Sequence, residues 1–566
     1  MISLKSLLLC LIIFIIPALS AERYWVYFTD KGDFETISFQ KQIDLVKAQL
    51  SESAWKRRLA QTGNSALEKI IREDLPIYPP YLQKLTEMGF QVRHRIRWMN
   101  AVSGTIEASR LEQIQALPFV REIRPVRSFK TAKKADFREA PSSFNRITSP
   151  DTLILDYGAS GGQADFHKYN QLHLKGLTGK DVIVAIFDTG FDLSHPALQM
   201  VKSNLLGEYD FVQDDSVTAN QPGDDSTQDQ HGTYTLSVLG GYAQHFLVGP
   251  AFEAKFILAK TEKVDQEIHQ EEDNWAAAAQ WAEALGAQIV SSSLGYSEFD
   301  AGQGSYSYQD MDGETTIVTR AANFLAERGV LVVNSAGNEG RSAWYYITAP
   351  ADGKKVLAVG ALTIDNQVAT FSSHGPTADG RIKPDVAALG VGVYGAHSGG
   401  GYQTASGTSA ACPLVAGIAA QLLQARPALN YQQLIHILRQ SGDNSASPNN
   451  DRGWGKVDAY VAWQKLQQIE PPEVVKFIQP RPNPLTGFGN PIYFIVQLPQ
   501  NGLIEIEIFN ILGQKITTIR QAGIAAENLV SWNTQNSRGN RVPSGIYVYR
   551  IKTLGKTSTG KLVISY

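Results

Sequence analysis

The chain has 566 residues, 43% of them hydrophobic and 19% charged, with a formal net charge of −3; this composition excludes a disordered or collagen-like chain, and the length suggests three or four domains. The charge is unevenly spread: residues 21–150 carry 22 Lys and Arg against 15 Asp and Glu, residues 151–469 carry 19 against 35, and residues 470–566 carry 10 against 5. An acidic majority argues against nucleic acid as a partner, and a basic segment beside an acidic one suggests either docking between the two or simple drift of charge.

Residues 1–20 read as a secretory signal. Lys5 gives a positive start, "LLLCLIIFII" an apolar run, Pro17 a break, and Ala18 and Ser20 small residues for a signal peptidase. The run is too short for an ordinary membrane anchor, no second run long enough to span a bilayer is evident, and the mature chain is expected to have no transmembrane anchor. Cys10 leaves with the signal, so only Cys412 remains and no internal disulfide can form.

Residues 21–150 read as a small α+β domain plus linker. "RYWVYFTD" has a strand pattern, residues 38–72 a helical one, residues 89–108 the alternation of paired strands, and residues 108–126 a helix followed by a strand. Residues 130–150 are polar, with Lys, Ser and Pro, and read as exposed linker. Over residues 151–468 the pattern becomes α/β. Apolar strands are expected at 181–188, 254–262, 288–295, 330–338 and 355–362, and helices at 273–287 and 316–329. Such alternation predicts a parallel sheet covered by helices on both faces, with a site at the carboxyl ends of its strands. A Pro-rich stretch follows from residue 469. Beyond it "PIYFIVQLP", "LIEIEIFN", "NLVSWN", "GIYVYRIKT" and "STGKLVISY" are short β-type runs split by turn residues, the pattern of a β-sandwich over residues 469–566.

Asp188 closes the run "VIVAIFDTG". Aspartic proteases use Asp-Thr-Gly, but they need two carboxylates sharing a proton, and this chain has no second copy. A nucleophilic serine needs instead a base, and the base an orienting acid. His231, in "QDQHGTYTLSVLGG", is followed by Gly232 and a helix-like run. Ser409, in "SGTSAACPLVAGIAAQLL", heads an Ala-rich helix, whose positive end favours an oxygen that takes on charge. Asn338, in "NSAGNEG", lies in a turn after a strand, where its amide can donate to an oxyanion. Each has a plainer reading alone: Asp188 as a turn residue, Ser409 as a helix cap, His231 on the surface, Cys412 as a small core residue. Their joint occurrence at element ends carries the weight.

With "ATFSSHGPTADGRIKPDVAALG" and "GWGKVDA", these motifs resemble the subtilisin-like serine proteases, or subtilases, over residues 180–461. The resemblance implies a serine-type endopeptidase that acts on proteins or peptides and requires no cofactor for its chemistry. Ser409 would be the nucleophile, His231 the base and then the acid, Asp188 its orienter, and Asn338 with the Ser409 N–H the oxyanion donors. Ser293, Leu294 and Gly295 would pair with extended substrate, and the S1 pocket would lie between them and Ser335, Ala336 and Gly337. With no acid in these stretches, an open, apolar-tolerant pocket is expected. Ala410 and Leu414 stand where the family usually has Met and His, and Gln230 where a small residue is commoner; these departures bear on substrate fit and remove no catalytic atom.

Residues 22–126 resemble a subtilase propeptide, which would help the protease fold, plug its cleft as an intramolecular inhibitor, and be cut off. "RPNPLTG", "IFNILGQKI" and "VPSGIYVYRIKT" resemble both the sorting domains of type IX secretion and FlgD-like immunoglobulin-like modules. The sorting reading implies the secretion machinery as a partner, export past an outer membrane, and a secreted or cell-surface location. Calcium is common in the resembled family. The acidic loop at 210–229 offers oxygen ligands without the EF-hand spacing, and reads equally as a solvated loop. The rival function is a surface-displayed binding or adhesion protein that keeps an inactive subtilase fold; a full set of catalytic residues argues against it.

Overall fold

The computed structural model describes residues 22–61, 64–126, 137–138, 155–266, 268–299, 304–468, 473–481, 483–486, 492–523 and 527–565. The signal segment and nearly all of the 127–154 linker lie outside them.

The N-terminal domain is an antiparallel sheet in which the strands Glu22–Phe28 and Ala101–Ile106 are central, flanked by Val120–Val126 and Gln91–Ile96. Because strand side chains alternate between faces, Tyr24, Val26 and Phe28 pack with Leu85 and Ile114 of the domain's own helices, while Trp25 and Tyr27 point the other way, into the next domain. The single helical stretch expected at 38–72 is three helices, Phe39–Lys47, Glu52–Gln61 and Asn64–Asp74. A fourth, Pro79–Glu87, opens on two prolines, where the missing N–H has no helical partner to lose.

The next domain is a seven-stranded sheet in the order Val386–Leu389, Val356–Leu362, Leu331–Ser335, Ile289–Ser292, Ile183–Asp188, Lys255–Lys260, Leu205–Asp210, parallel throughout. Val184 and Ile186 face one helical layer, with Leu236 and Val415; Ala185 and Phe187 face the other, with Trp275 and Ala279. Both edge strands escape the sequence pattern. Leu205–Asp210 is mostly half-exposed and carries Gly, Glu and Asp, and Val386–Leu389 is only four residues long. The helix His269–Leu285 starts before the expected residue 273, on a first turn that holds Glu271 and Glu272. It ends as expected at Gly286, whose φ of 107° suits glycine. Among the described residues the helix Thr408–Ala425 is long and apolar enough to cross a bilayer, which corrects the reading of no second such run. It is 83% buried, because it lies across the sheet.

The C-terminal domain packs a three-stranded sheet (Lys476–Arg481, Ile492–Gln497, Glu527–Trp532) on a five-stranded one. Phe494, Val496, Trp532, Ile504, Ile506 and Tyr549 fill the space between them. Every β-run expected from the sequence is a strand; Lys476–Arg481 and Leu485–Thr486, inside the stretch read as a Pro-rich linker, are added, as is Lys515–Gly523, half-exposed along most of its length.

The first two domains share one core. Trp25, Tyr27, Ile96, Trp98 and Met99 pack against Trp275, Ala279 and Ala282 of the helix His269–Leu285. Around this core runs a buried charged network. Arg58 bonds Asp74 at 2.5 Å and Glu283 at 2.6 Å, Arg57 also bonds Glu283, and Arg328 reaches Asp74 at 3.2 Å. Arg328, Arg58 and Arg97 hold the Asp74 carboxyl below the usual range despite burial.

Candidate active site

Three parallel strands deliver the candidate residues at their carboxyl ends. Asp188 is the last residue of Ile183–Asp188, Ser293–Gly295 follow Ile289–Ser292, and Ser335–Asn338 end and follow Leu331–Ser335. Asp188 is fully buried. Its Oδ1 accepts from Thr189 N–H at 2.8 Å and meets His231 Nδ1 at 2.6 Å, while its Oδ2 accepts from Thr235 Oγ1 at 2.9 Å. Asp188 therefore serves a histidine rather than a second carboxylate.

His231 is the second residue of the helix Gln230–Gly240, and one turn of that helix brings Thr235 onto the same carboxylate. Burial disfavours the imidazolium, but the Asp188 charge and hydrogen bond outweigh it, so the His231 pKa lies above its ordinary value. With Nδ1 occupied, Nε2 is left for the cleft, where the ring keeps 19% exposure. The following Gly232 is required by space: a β-carbon there would stand 2.2 Å from Gly190 O and 3.1 Å from Asp188 Cβ.

Ser409 is the second residue of the helix Thr408–Ala425 and is half-buried. Its N–H lies in the first turn, where helix N–H groups have no intrahelical partner. Asn338 is exposed, and its Oδ1 accepts from Thr408 N–H at 2.8 Å and Thr408 Oγ1 at 3.0 Å. That grip turns Nδ2 toward the serine. A β-carbon at Gly407 would be 2.8 Å from Ser409 Oγ and 3.6 Å from Asn338 Nδ2, so both atoms border one small space. Ser409 and His231 make no direct hydrogen bond among the described residues; catalytic hydrogen bonds often tighten only in the substrate complex.

The two walls expected for S1 lie side by side. Asn334 Nδ2 donates to Leu294 O at 2.9 Å and Ser335 Oγ to the same oxygen at 3.3 Å. Ser293 Oγ donates to Ser409 O at 3.0 Å, tying the first wall to the nucleophile's helix. Ser293, Leu294, Ser335 and Ala336 are buried, whereas Gly295 is exposed. Sequence reasoning missed Thr348, which closes the space between the walls: a β-carbon on Gly295 or Gly337 would lie 2.3 or 3.0 Å from Thr348 Oγ1. That oxygen is buried with no hydrogen-bond partner among the described residues.

The short strand Phe137–Arg138, inside the expected linker, pairs antiparallel with Tyr402–Ala405, Phe137 opposite Ala405 and Arg138 opposite Thr404. Tyr402–Ala405 runs toward Ser409, so of these two linker residues Phe137 is the nearer to it.

The acidic loop spends its carboxylates internally. Asp210 and Asp224 both pair with the buried Lys260 ammonium, at 2.8 and 2.7 Å. Asp215 and Asp225 accept from the N–H groups of Val217 and Thr227. Among the described residues no group of three or more His, Cys, Asp or Glu is placed to hold a metal ion, which favours the solvated-loop reading over the calcium the resemblance allowed. Cys412 is buried against Ser292 O and Val333 O, and burial pushes its thiol up to about 12. It is a packed residue, not a second nucleophile.

Three segments of the chain match known families. Residues 179–456 match the subtilase family, residues 23–140 the peptidase S8 propeptide domain of Bacteroidota, and residues 482–565 the secretion system C-terminal sorting domain. Subtilisin BL of Lederbergia lenta is 31% identical over 51% of this chain and 93% of its own length. Serine protease AprX of Bacillus subtilis (strain 168) is 32% identical over 50% of this chain and 66% of its own. The thermophilic serine proteinase of Bacillus sp. (strain AK1) is 26% identical over 60% and 75%.

Proposed function

The chain belongs to the subtilase family, a serine-type endopeptidase with a propeptide and a secretion sorting domain, and from that premise we propose that Asp188, His231 and Ser409 are its catalytic triad. The observation that carries this reading is the 2.6 Å bond from His231 Nδ1 to a buried Asp188, which leaves Nε2 as the only ring atom able to act as base. Ser409 Oγ attacks the substrate carbonyl carbon and gives its proton to His231 Nε2. The oxyanion is held by Asn338 Nδ2 and the Ser409 N–H. His231 then returns the proton to the leaving amine, the acyl-enzyme forms, and water releases the acid by the reverse proton route. Substrate lies along Ser293–Gly295 as an added strand, with its P1 side chain between those residues and Ser335–Gly337, above Thr348. None of those residues is charged, which suits an uncharged P1 group.

Residues 1–20 are read as the signal, 21–150 as propeptide plus linker, 151–468 as the catalytic domain and 469–566 as the sorting domain. The first substrate is the chain itself. Val126 ends the propeptide sheet and Phe137–Arg138 already pairs with the catalytic domain's Tyr402–Ala405, so the cut is expected between Val126 and Phe137. The test is the intact mass of purified precursor over time, wild type beside Ser409→Ala. Wild type should shorten to an N-terminus within or just after residues 127–136, and Ser409→Ala should stay full length. If both stay full length while folded, and a fluorophosphonate fails to label Ser409, the protease reading gives way to that of an inactive binding fold. Turnover of Ser409→Ala should fall by about 10⁶.

A further inference from the structure

The central strand of the smaller C-terminal sheet, Ile492–Gln497, is buried on both faces. Ile492, Phe494 and Val496 point into the sandwich. The opposite face of such a sheet would ordinarily meet water and carry polar residues. Here it carries Tyr493 and Ile495, which are 1% and 3% exposed. Tyr493 packs in a cluster with Ile43, Val46, Trp55, Leu59 and Ile71, which belong to the three helices inserted in the N-terminal domain. Burial, and then the charge of Glu52 at the head of the second helix, push its phenol up to about 12, in keeping with that place.

The N-terminal domain thus faces two ways. Its sheet packs on the catalytic helices through Trp25 and Tyr27, and its inserted helices share a separate small core with the sandwich. A contact this small is weak between separate molecules but is held by the high effective concentration within one chain. We propose that the helical insertion Phe39–Asp74 is the docking platform of the C-terminal sandwich in the precursor, so that loss of the propeptide uncovers the Tyr493–Ile495 face of the sorting domain. The uncovering rests on the reading that residues 22–126 are excised.

Nitration with tetranitromethane, mapped by peptide mass, tests it on the full chain. In the Ser409→Ala precursor Tyr493 should resist nitration, as should Tyr547, buried in the sandwich core, and Tyr27, buried against the catalytic domain. In wild type whose intact mass shows the propeptide gone, Tyr493 should react while Tyr547 stays protected. Val46→Lys in the Ser409→Ala background should expose Tyr493 with Tyr27 still protected, which reports a propeptide that remains folded and docked. Tyr493 reactive in the unsubstituted precursor, or still protected after the propeptide has gone, overturns the proposal. If wild type keeps its propeptide, the mass shows that the processing reading has failed, and the Val46→Lys comparison still decides the docking.

Discussion

His231 is pulled in two directions: burial disfavours its charged form, while Asp188 favours it and prevails. As the proposed base, His231 must be neutral to accept the Ser409 proton, so activity should rise as His231 loses its proton. With the pKa raised, the acid limb of kcat/KM should lie above the ordinary histidine value of about 6.5. Asp188→Asn removes the raising charge, so the limb should move to lower pH while kcat falls by about 10⁴. A pH profile that kept its limb would show that another group controls it. At this scale the sequence was informative for Asp188, His231, Asn338 and Ser409, because each sits where a strand ends or a helix begins. Thr235 and Thr348 were illegible. A threonine one helical turn past a histidine carries no mark of the carboxylate it will meet, and Thr348 reaches the pocket only once a later loop folds across two strand ends.

The helix Gln230–Gly240 can carry His231 only if it approaches the Asp188 strand closely, and Gly232 permits that approach. Gly232→Ala places a β-carbon against Gly190 O, so the helix must shift, at a cost of about 1–3 kcal/mol. Thermal unfolding of Gly232→Ala in the Ser409→Ala background should show a lowered Tm, and the same change in the active chain should slow fluorophosphonate labelling. An unchanged Tm and rate would mean that the helix is less tightly fixed than its contacts imply. Central strands were legible because burial on both faces writes continuous apolar runs. Edge strands such as Leu205–Asp210 were not, since one exposed side admits Gly and Glu. The N-terminal helices merged into one expected stretch because amphipathic period survives the short break at residues 48–51, and only packing shows where the chain turns.

Across the whole molecule, the buried join between the first two domains contains two groups that answer pH with opposite sign. His94, 8% exposed and bonded to Asn274 Oδ1 at 2.9 Å, is lowered to about 4, chiefly by burial. It stays neutral in the folded precursor but takes a proton when unfolded, so stability is lost as pH falls from about 6.5 to about 4, by about 1.4 kcal/mol per unit. Asp273, fully buried beneath Trp25 and Ser103, is raised well above its ordinary value by burial and then by Glu272. It holds its proton to higher pH when folded than when unfolded, so it adds stability as pH falls toward the ordinary carboxylate range. In Ser409→Ala precursor, His94→Gln should make Tm rise more steeply, or fall less, from pH 6.5 to 4.5, and Asp273→Asn should do the reverse. Equal slopes in both variants would refute this pairing. Charge segregation in the sequence hinted at the join, yet its centre is aromatic, and the network around it mixes signs on both sides, which net charge cannot convey.

The core shared by Trp25, Tyr27 and Trp98 with the helix His269–Leu285 bears on what kind of object the finished enzyme is. Under the proposed excision, Trp25, Tyr27, Ile96, Trp98, Met99, Ala101 and Val126 leave that core with the propeptide, and the catalytic domain must hold its shape without them. Its persistence would then rest on barrier height rather than on balance between folded and unfolded chains. An enzyme of that kind would age instead of equilibrating, with a lifetime set by how slowly each molecule opens.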